Sequence, residues 1–389
     1  MRVLSRKQWR IAWYLLEQKL KRSERYPLVL MLEPLFRCNL ACRGCGKIDH
    51  PDEILDRRMT VEQALAAVDE CDAPAVSIAG GEPLIHADLP RIVAGIVARK
   101  KLVYVCTNAL LLKKKIHLYE PSPYLTFSIH LDGNRRRHDA SVCQTGVYDR
   151  AVEAVDEALA RGHEVTIACT LFQGETPEEV ADFFDHVTEL GVQGITVSPG
   201  FSYARAPRQD VFLQRRQTKE LFRGIFRRGK GRRWPLLHSG LYLDFLAGNQ
   251  TYRCTAWGNP TYTVLGWQKP CYLLMDEGYA ASYRELMDDT DWEHYGTGRN
   301  PKCANCMAHC GYEATAVDDA VSRPLKALRV ALRGPRTEGP MAPELPVEYP
   351  DDPADAVPDS PPASSPASTR RGGARLPALD HDMPGRGAA

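Results

Sequence analysis

The chain has 389 residues, 44% of them hydrophobic, and a formal net charge of +1 at pH 7. This length suffices for about two domains, and a net charge near zero argues against nucleic acid as a partner. The sequence has no run of ~18 apolar residues that would predict a transmembrane helix, and its charged beginning lacks the apolar segment of a signal peptide. The 12 cysteines are bunched, which favours metal or cluster chemistry in the cytoplasm over a disulfide framework.

Both ends of the chain differ from its middle. Residues 1–26 predict a basic amphipathic helix over 3–24, which would either lie at a membrane interface or pack against the adjacent domain. Residues 323–333 form a second basic amphipathic segment. Residues 334–389 hold 12 of the 28 prolines, and this composition predicts a disordered tail.

Strand and helix patterns alternate between residues 27 and 234. The predicted strands cover 28–32, 75–79, 102–106, 124–130, 165–171 and 194–198. Helices are predicted between them, with Thr60, Asp88 and Thr176 as N-caps, and a last helix covers 209–230. Six such units in a row predict an α/β fold with a parallel sheet, either curved or doubly wound. Ligands of such folds meet the carboxyl ends of the strands.

Three cysteines follow the first predicted strand at the spacing C-x3-C-x2-C. They are Cys38, Cys42 and Cys45. Three thiolates on one loop can hold three irons of a [4Fe–4S] cluster and leave the fourth iron open to a ligand. A structural zinc ion takes four ligands, and the loop offers no fourth Cys or His close by, so the spacing favours the cluster over zinc.

The turn Gly80-Gly81-Glu82-Pro83 comes directly after the second predicted strand. Adjacent glycines allow a ligand to approach the backbone closely. Together with the three-cysteine loop, this turn resembles the radical S-adenosylmethionine (SAM) superfamily. The resemblance implies a partial (β/α)6 barrel in which the open iron binds the amino and carboxylate groups of SAM. It also implies that the reduced cluster cleaves SAM to methionine and a 5′-deoxyadenosyl radical.

The same resemblance implies a set of SAM-binding residues at the ends of three strands. The set consists of Gly80, Gly81, Glu82, Pro83, Asn108, His130 and Asp132. Three positions depart from the superfamily's pattern. Gly44 stands where an aromatic commonly covers the adenine, so another side chain is expected to cover it. Ala109 replaces the usual Gly, and His130 stands where relatives often carry Ser.

A second group of cysteines in residues 235–322 predicts a small, cysteine-organised domain. Its members are Cys254, Cys271, Cys303, Cys306 and Cys310. Their spacing resembles the SPASM domain or the shorter twitch domain, which implies one auxiliary [4Fe–4S] cluster with one cysteine to spare. A zinc site is the alternative, because a C-x2-C pair also suits zinc.

Longer stretches of the chain, over roughly residues 8–342, resemble the adenosylhopane synthases of bacterial hopanoid synthesis. The matching motifs lie at 31–37, 46–49, 257–260, 266–272 and 310–315. The resemblance implies that the radical adds through C5′ to the terminal alkene of a pentacyclic hopene (diploptene) and forms a carbon–carbon bond. It further implies a flavodoxin- or ferredoxin-type reductant and peripheral contact with the inner face of the membrane, where a C30 hydrocarbon resides.

Addition to an alkene leaves a carbon radical that must gain a hydrogen atom, and a thiol can supply one. Cys106 ends the third predicted strand, and strand alternation puts it on the face of Tyr104 and Asn108. Cys106 is therefore the candidate hydrogen-atom donor, with Cys169 and then Cys143 as rivals. The alternative is that Cys106 is a small core residue, as most buried cysteines are.

Two other functions remain open from the sequence. Because SPASM domains are common in enzymes that modify peptides, the first is a radical SAM peptide maturase. The second is a non-enzymatic iron–sulfur or zinc protein. Formation of 5′-deoxyadenosine by the reconstituted protein would distinguish either enzyme from the non-enzymatic protein.

Overall fold

The computed structural model describes residues 6–202 and 205–348. The predictions for residues 1–5 and 349–389 lie outside the described residues. Within the described chain, every helix is too short or too polar to cross a lipid bilayer.

One mixed sheet organises the described chain. Its strands are β1 (Val29–Glu33), β2 (Ala75–Ile78), β3 (Leu102–Thr107), β4 (Leu125–His130), β5 (Glu164–Leu171), β6 (Gly194–Pro199), β7 (Thr261–Thr263), β8 (Gly266–Gln268) and β9 (Tyr279–Ala280). Their order is β6-β5-β4-β3-β2-β1-β7-β8-β9. The first six strands are parallel to their neighbours and follow one another without reversal. This order confirms the predicted α/β fold and selects the curved, barrel-like arrangement over the doubly wound one.

Helices connect the parallel strands and follow the sheet. They are α1 (Arg6–Leu20), α2 (Asp52–Leu55), α3 (Val61–Cys71), α4 (Leu89–Ala98), α5 (Leu112–Lys115), α6 (Arg135–Ser141), α7 (Val147–Ala160), α8 (Pro177–Glu189), α9 (Arg215–Arg228), α10 (Gly240–Leu246), α11 (Tyr283–Asp289), α12 (His309–Ser322) and α13 (Pro324–Arg333). The sequence prediction missed α2 and α6, and it began the last barrel helix, α9, several residues too early.

Local capping explains where the barrel helices begin. The Thr60 hydroxyl accepts a hydrogen bond from the Gln63 backbone N–H, and Gln63 Oε1 accepts one from the Thr60 backbone N–H, so the predicted capping box is confirmed. Thr176 likewise caps α8. The prediction for Asp88 is wrong in detail, because its carboxylate pairs with Arg91 and caps no backbone group of α4.

The strands place apolar side chains toward the helices and polar ones toward the barrel interior. On β4, Leu125, Phe127 and Ile129 are buried in the core between sheet and helices. Ser128 lies between them in sequence and lines the cavity inside the barrel. This two-residue alternation carries functional groups to the interior, with the site at the carboxyl ends of the strands.

The region after residue 235 is more regular than its sequence suggested. β7 adds to the free edge of β1 in parallel, and β8 and β9 extend the sheet by antiparallel pairing. The sequence also predicts disorder from residue 334, but residues 334–348 lie against the fold. The Glu344 carboxylate binds both Arg215 and Lys219 there, which holds this segment down despite its prolines.

Candidate functional site

The three cysteines of the C-x3-C-x2-C motif open into one cavity of about 330 Å³ at the carboxyl ends of the strands. This volume lies in the range typical of small-molecule sites. Cys38, Cys42 and Cys45 are free thiols on the loop after β1. Burial raises the pKa of Cys38 to about 12, although the Leu40 backbone N–H, 3.4 Å from its sulfur, acts in the opposite direction. These half-buried thiols become ligands only when metal replaces their protons.

Two glycines let the loop after β2 pack directly on the cysteine loop. Gly80 has φ +104°, and a Cβ on it would lie 2.3 Å from the carbonyl oxygen of Leu35. A Cβ on Gly81 would lie 2.2 Å from the carbonyl oxygen of Arg37. Any side chain at either position would therefore push the two loops apart.

Glu82 is almost fully buried at the edge of the cavity. Its Oε1 accepts hydrogen bonds from the Leu84 N–H (3.0 Å) and the Thr107 hydroxyl (2.7 Å), and its Oε2 accepts one from the Asn108 N–H (2.9 Å). Burial raises the pKa of Glu82 to about 6, while these hydrogen bonds act to lower it. Glu82 thus joins the turn after β2 to the turn after β3, and each carboxylate oxygen has two lone pairs, so Oε2 still has capacity for a ligand's ammonium.

The turn after β3 touches the cysteine loop through Asn108. Its Nδ2 donates to Asn39 Oδ1 at 2.8 Å and lies 3.8 Å from the sulfur of Cys38. Ala109 follows in the left-handed region with φ +64°, where glycine is the relaxed residue. This conformation accounts for the superfamily's usual Gly at that position.

A network of polar side chains closes the cavity at the end of β4. Asp132 Oδ2 lies 2.8 Å from His130 Nε2 and accepts a hydrogen bond from the Ser141 hydroxyl at 2.8 Å, and Oδ1 accepts one from the Thr170 N–H at 2.8 Å. Burial opposes charge on His130, but the neighbouring Asp132 carboxylate outweighs it and raises the pKa of His130. The same pairing overcomes burial and lowers the pKa of Asp132. His130 lines the cavity and is held in place by Asp132.

An aromatic ring fills the space left by Gly44. A Cβ on Gly44 would lie 2.8 Å from Cε1 of Phe172, and a Cβ on Gly200 would lie equally close to the same atom. Phe172, just after β5, packs against Phe212 with ring centroids 5.9 Å apart, and both rings line the cavity. A side chain thus occupies the space beside Gly44, as expected, and it is an aromatic from a strand end that the sequence pattern did not identify.

The three cysteines considered as hydrogen-atom donors lie in different surroundings. Cys106 lines the cavity with its sulfur 3.2 Å from the hydroxyl of Ser77. Cys169 is buried among core residues, while its neighbours Ala168 and Thr170 line the cavity. Cys143 is exposed. Of the three, Cys106 alone opens into the cavity that the motif cysteines share.

The second group of cysteines also converges on one place. Cys254, Cys271, Cys303, Cys306 and Cys310 line a smaller cavity, and all are free thiols. Two glycines make room for Cys254: a Cβ on Gly311 would lie 2.7 Å from its sulfur, and one on Gly296 would lie 2.9 Å from its Cβ. Leu273 and Phe201 line both cavities and separate them.

The spacing of the thiols bears on the metal. Among the described residues, the ligand atoms of His130, Asp132 and His138 form the one set of three that lies within 4.8 Å, and the hydrogen bonds of Asp132 explain that set. No three cysteine sulfurs in the described chain are that close. A single zinc ion with Zn–S distances near 2.3 Å would draw its sulfurs to about 3.8 Å from one another. A cluster binds each thiolate through a different iron, so the wider spacing in both groups fits a cluster better.

A buried ion pair, which the sequence patterns did not identify, lies between the two groups. Lys47 Nζ is 2.9 Å from Glu33 Oε2, and both side chains are buried. The Lys47 ammonium also lies 5.4 Å from the ring centre of Tyr272, beside Cys271. It thereby links the end of β1 to the region that carries the second group of cysteines.

The comparisons with known proteins agree with this geometry. Residues 32–187 match the model of the radical SAM superfamily. This part of the chain thus has the radical SAM fold. That superfamily implies a [4Fe–4S] cluster and SAM, and the three thiols, the close contact of Gly80 and Gly81 with the cysteine loop, and the cavity fit them. Residues 195–330 match a domain of unknown function, DUF3463.

The curated relatives match mainly over the radical SAM domain. GTP 3′,8-cyclase of Clostridium perfringens (strain 13 / Type A) is 25% identical over 159 residues, which are 39% of this chain and 49% of that protein. GTP 3′,8-cyclase 1 of Mycobacterium tuberculosis is 28% identical over 178 residues, 42% of this chain and 49% of that protein. The chain thus spans about half the length of these relatives.

Solved structures resemble a larger part of the chain. Streptococcus suis SuiB bound to its precursor peptide SuiA has a TM-score of 0.59 at 17% identity, over 78% of this chain and 74% of that one. The anSMEcpe structure with AdoMet and a peptide has a TM-score of 0.54 at 15% identity, over 79% of this chain and 99% of that one. At these identities the likeness establishes the fold.

Proposed function

We propose that this protein is a radical SAM enzyme that joins the C5′ carbon of SAM's adenosyl group to the terminal alkene of a hopene such as diploptene. The resemblance of its motifs to adenosylhopane synthases suggests the substrate. The position of Cys106, in the same cavity as the three motif cysteines, carries the proposal, because this reaction needs a hydrogen-atom donor beside the reacting carbons.

The residues around the cavity have distinct proposed roles in binding the cluster and SAM. The bound cluster and SAM supply the 5′-deoxyadenosyl group as a radical. Cys38, Cys42 and Cys45 hold the cluster, and Oε2 of Glu82 is open to the amino group of SAM. His130, oriented by Asp132, would bind SAM at the end of β4. Asn108 keeps the turn after β3 against the cluster loop.

Cys106 completes the reaction. Once the new carbon–carbon bond has formed, the substrate carries an unpaired electron on the adjacent carbon. The Cys106 thiol transfers its hydrogen atom to that carbon and saturates the product, leaving a sulfur radical that the reductant and a proton return to the thiol. Burial raises the pKa of Cys106, which keeps it in the S–H form that this transfer requires.

Part of the cavity wall suits a hydrocarbon. Phe201, Phe212, Leu273 and Ala308 line the same cavity as the polar side chains of Glu82 and His130. Apolar side chains stabilise an apolar ligand by removing it from water. The cavity thus offers polar groups suited to SAM and apolar groups suited to the substrate.

The second group of cysteines is proposed to hold an auxiliary [4Fe–4S] cluster. Five thiols, two glycines that clear space for Cys254, and wide sulfur spacing support it. A flavodoxin- or ferredoxin-type protein is the proposed reductant. Because Leu273 and Phe201 line both cavities, the auxiliary cluster would lie close to the substrate.

The test incubates reconstituted protein with SAM, dithionite and detergent-dispersed diploptene and looks for the adenosine mass adduct. In deuterium oxide the thiol exchanges, so the wild-type product should carry one deuterium at the saturated carbon. We expect Cys106→Ala to cleave SAM but to lower the saturated product by at least about 100-fold. Cys169→Ala is the matched control and should behave as wild type. Full yield of saturated product with unchanged stereochemistry from Cys106→Ala would contradict the role of Cys106.

A peptide is the second candidate substrate, because the solved structures of SuiB and anSMEcpe with the same fold are bound to peptides. The two substrates predict different products. SAM cleavage without any diploptene adduct, together with a mass change on an added peptide, would favour the maturase. Absence of 5′-deoxyadenosine from the fully reconstituted protein would favour a non-enzymatic role.

A further inference from the structure

We propose that α1 and α13 together form a surface that docks this protein onto an anionic lipid bilayer. The inference stands on the two helices themselves, and only the purpose of docking, access to a membrane-resident hydrocarbon, rests on the proposed function. The surface consists of six outward-facing apolar residues, called here the two-helix surface. They are Trp13, Leu16, Leu20, Leu325, Leu328 and Leu332.

The two helices expose apolar side chains in the same pattern. Trp13, Leu16 and Leu20 follow the spacing i, i+3, i+7 on α1, and the three leucines of α13 repeat it. This spacing puts each triad on one helical face. All six side chains are between 48% and 80% exposed. An exposed apolar stripe of this kind marks an interaction site.

Each triad lies opposite a face that is anchored to the fold. On α1, Leu15 is buried and the Tyr14 hydroxyl donates to the carbonyl oxygen of Pro27 at 2.8 Å. On α13, Ala327 and Val330 pack against the main core. The outward faces are therefore held in place, and covering them does not require either helix to detach.

The two helices are neighbours. Lys19 Nζ, at the end of α1, donates to the Ser322 hydroxyl at 2.9 Å and lies 3.4 Å from the carboxylate of Asp318. Ser322 ends α12, two residues before α13 begins. The end of α1 and the start of α13 are therefore close, which puts both triads within reach of a single partner.

The charges around the triads identify the partner. The stretch 323–333 contains four cations and no acidic residue, and α1 contains four cations and one acidic residue. Within the described chain, Arg329 and Arg333 form no ion pair. For a chain whose net charge is only +1, this is a local concentration of positive charge. Leucines and a tryptophan flanked by Lys and Arg are typical of helices that lie in the headgroup region of anionic membranes.

The experiment sediments the full chain with vesicles of phosphatidylcholine alone or mixed with phosphatidylglycerol. We expect binding to the mixed vesicles, little binding to the neutral ones, and release by salt. The triple substitution Leu325→Ser, Leu328→Ser, Leu332→Ser should lower the bound fraction about tenfold. The matched control is Leu118→Ser, a similarly exposed leucine on a different connection, which should bind as wild type. Arg329→Gln with Arg333→Gln should weaken binding to the mixed vesicles alone.

Three outcomes would overturn the proposal: wild type that stays in the supernatant, a triple variant that sediments like wild type, or a triple variant that merely dissociates a dimer in vesicle-free ultracentrifugation. Formation of 5′-deoxyadenosine without vesicles checks that each variant is folded. The two proposals fail separately. Adenosylation of diploptene in detergent without vesicle binding would refute docking alone, and vesicle binding without a hopene product would refute the substrate alone.

Discussion

The two groups of cysteines in this molecule are built from the same side chain in different surroundings. Cys38, Cys42 and Cys45 open into a cavity of about 330 Å³ that also holds polar groups, whereas the five later cysteines line a smaller cavity among apolar side chains and glycines. Three thiols leave an iron free to bind a ligand, and five are more than enough to close a cluster. The difference matches the roles proposed for them: SAM chemistry at the first group, and an auxiliary cluster at the second.

The largest expected effect comes from removing one thiol of the first group. Cys42→Ser should abolish 5′-deoxyadenosine formation and reduce bound iron, because an incomplete set of ligands cannot hold the cluster. The exposed Cys143, outside both cavities, provides Cys143→Ser as the control with full iron and activity. Persistent SAM cleavage by Cys42→Ser would remove the distinction between the two groups.

A substitution in the second group should lower stability but leave SAM binding intact. Cys306→Ser is expected to lower the melting temperature by about 5 °C and bound iron by about half, while SAM binding measured by calorimetry remains. The reason is that the buried thiol of Cys306 lines the smaller cavity, so its loss would remove a ligand of the proposed auxiliary cluster. If the variant keeps its iron and its stability, Cys306 is the spare cysteine. If all five single variants do so, the auxiliary cluster is absent.

A smaller effect should follow from the ring that replaces the aromatic missing at Gly44. Phe172→Leu keeps the site apolar but removes a stacking surface worth about 1 kcal/mol, so the Kd for SAM should rise about fivefold. Phe183→Leu, a buried ring on α8 outside the cavity, should leave the Kd unchanged. Equal SAM affinity in both variants would show that Phe172 fills space without contacting the ligand.

The smallest predicted effect is a pH dependence of stability from His130. Because Asp132 raises the pKa of His130, the pair stabilises the fold fully below the ordinary histidine pKa of about 6.5. That contribution is lost as the pH rises through the raised value. His130→Gln should therefore lower the melting temperature about 2 °C more at about pH 5.5 than at about pH 8.5. An equal loss at both pH values would mean that the imidazolium contributes no charge interaction.

Much of the barrel and of its first site follows from local sequence. The alternating strands, the capping of α3 by Thr60 and the spacing of Cys38, Cys42 and Cys45 depend on residues close together in the chain, so a pattern can identify them. The contact of Gly80 with the cysteine loop was also accessible, because adjacent glycines after a strand indicate close approach of another group.

What the sequence did not reveal depends on distant partners. Phe172 covers the space at Gly44 only because β5 ends beside the loop after β1. β7 pairs with β1 although more than half the chain separates them, and the local hydrophobic pattern of neither strand predicts that pairing. The prolines after residue 334 suggested disorder, but Glu344 forms ion pairs with Arg215 and Lys219. Composition cannot reveal a pairing between residues so far apart in the chain.

The cavity wall contributed by the last third of the described chain has a consequence for assembly. Leu273, Ala308 and His309 line the cavity together with Cys38, yet the ribosome releases them long after the cysteine loop. A chain that has emerged only through β6 would lack this wall, so its three thiols would be more open to iron and to oxygen than in the complete fold. The pairing of β7 with β1 would then bring in the region that carries the missing wall.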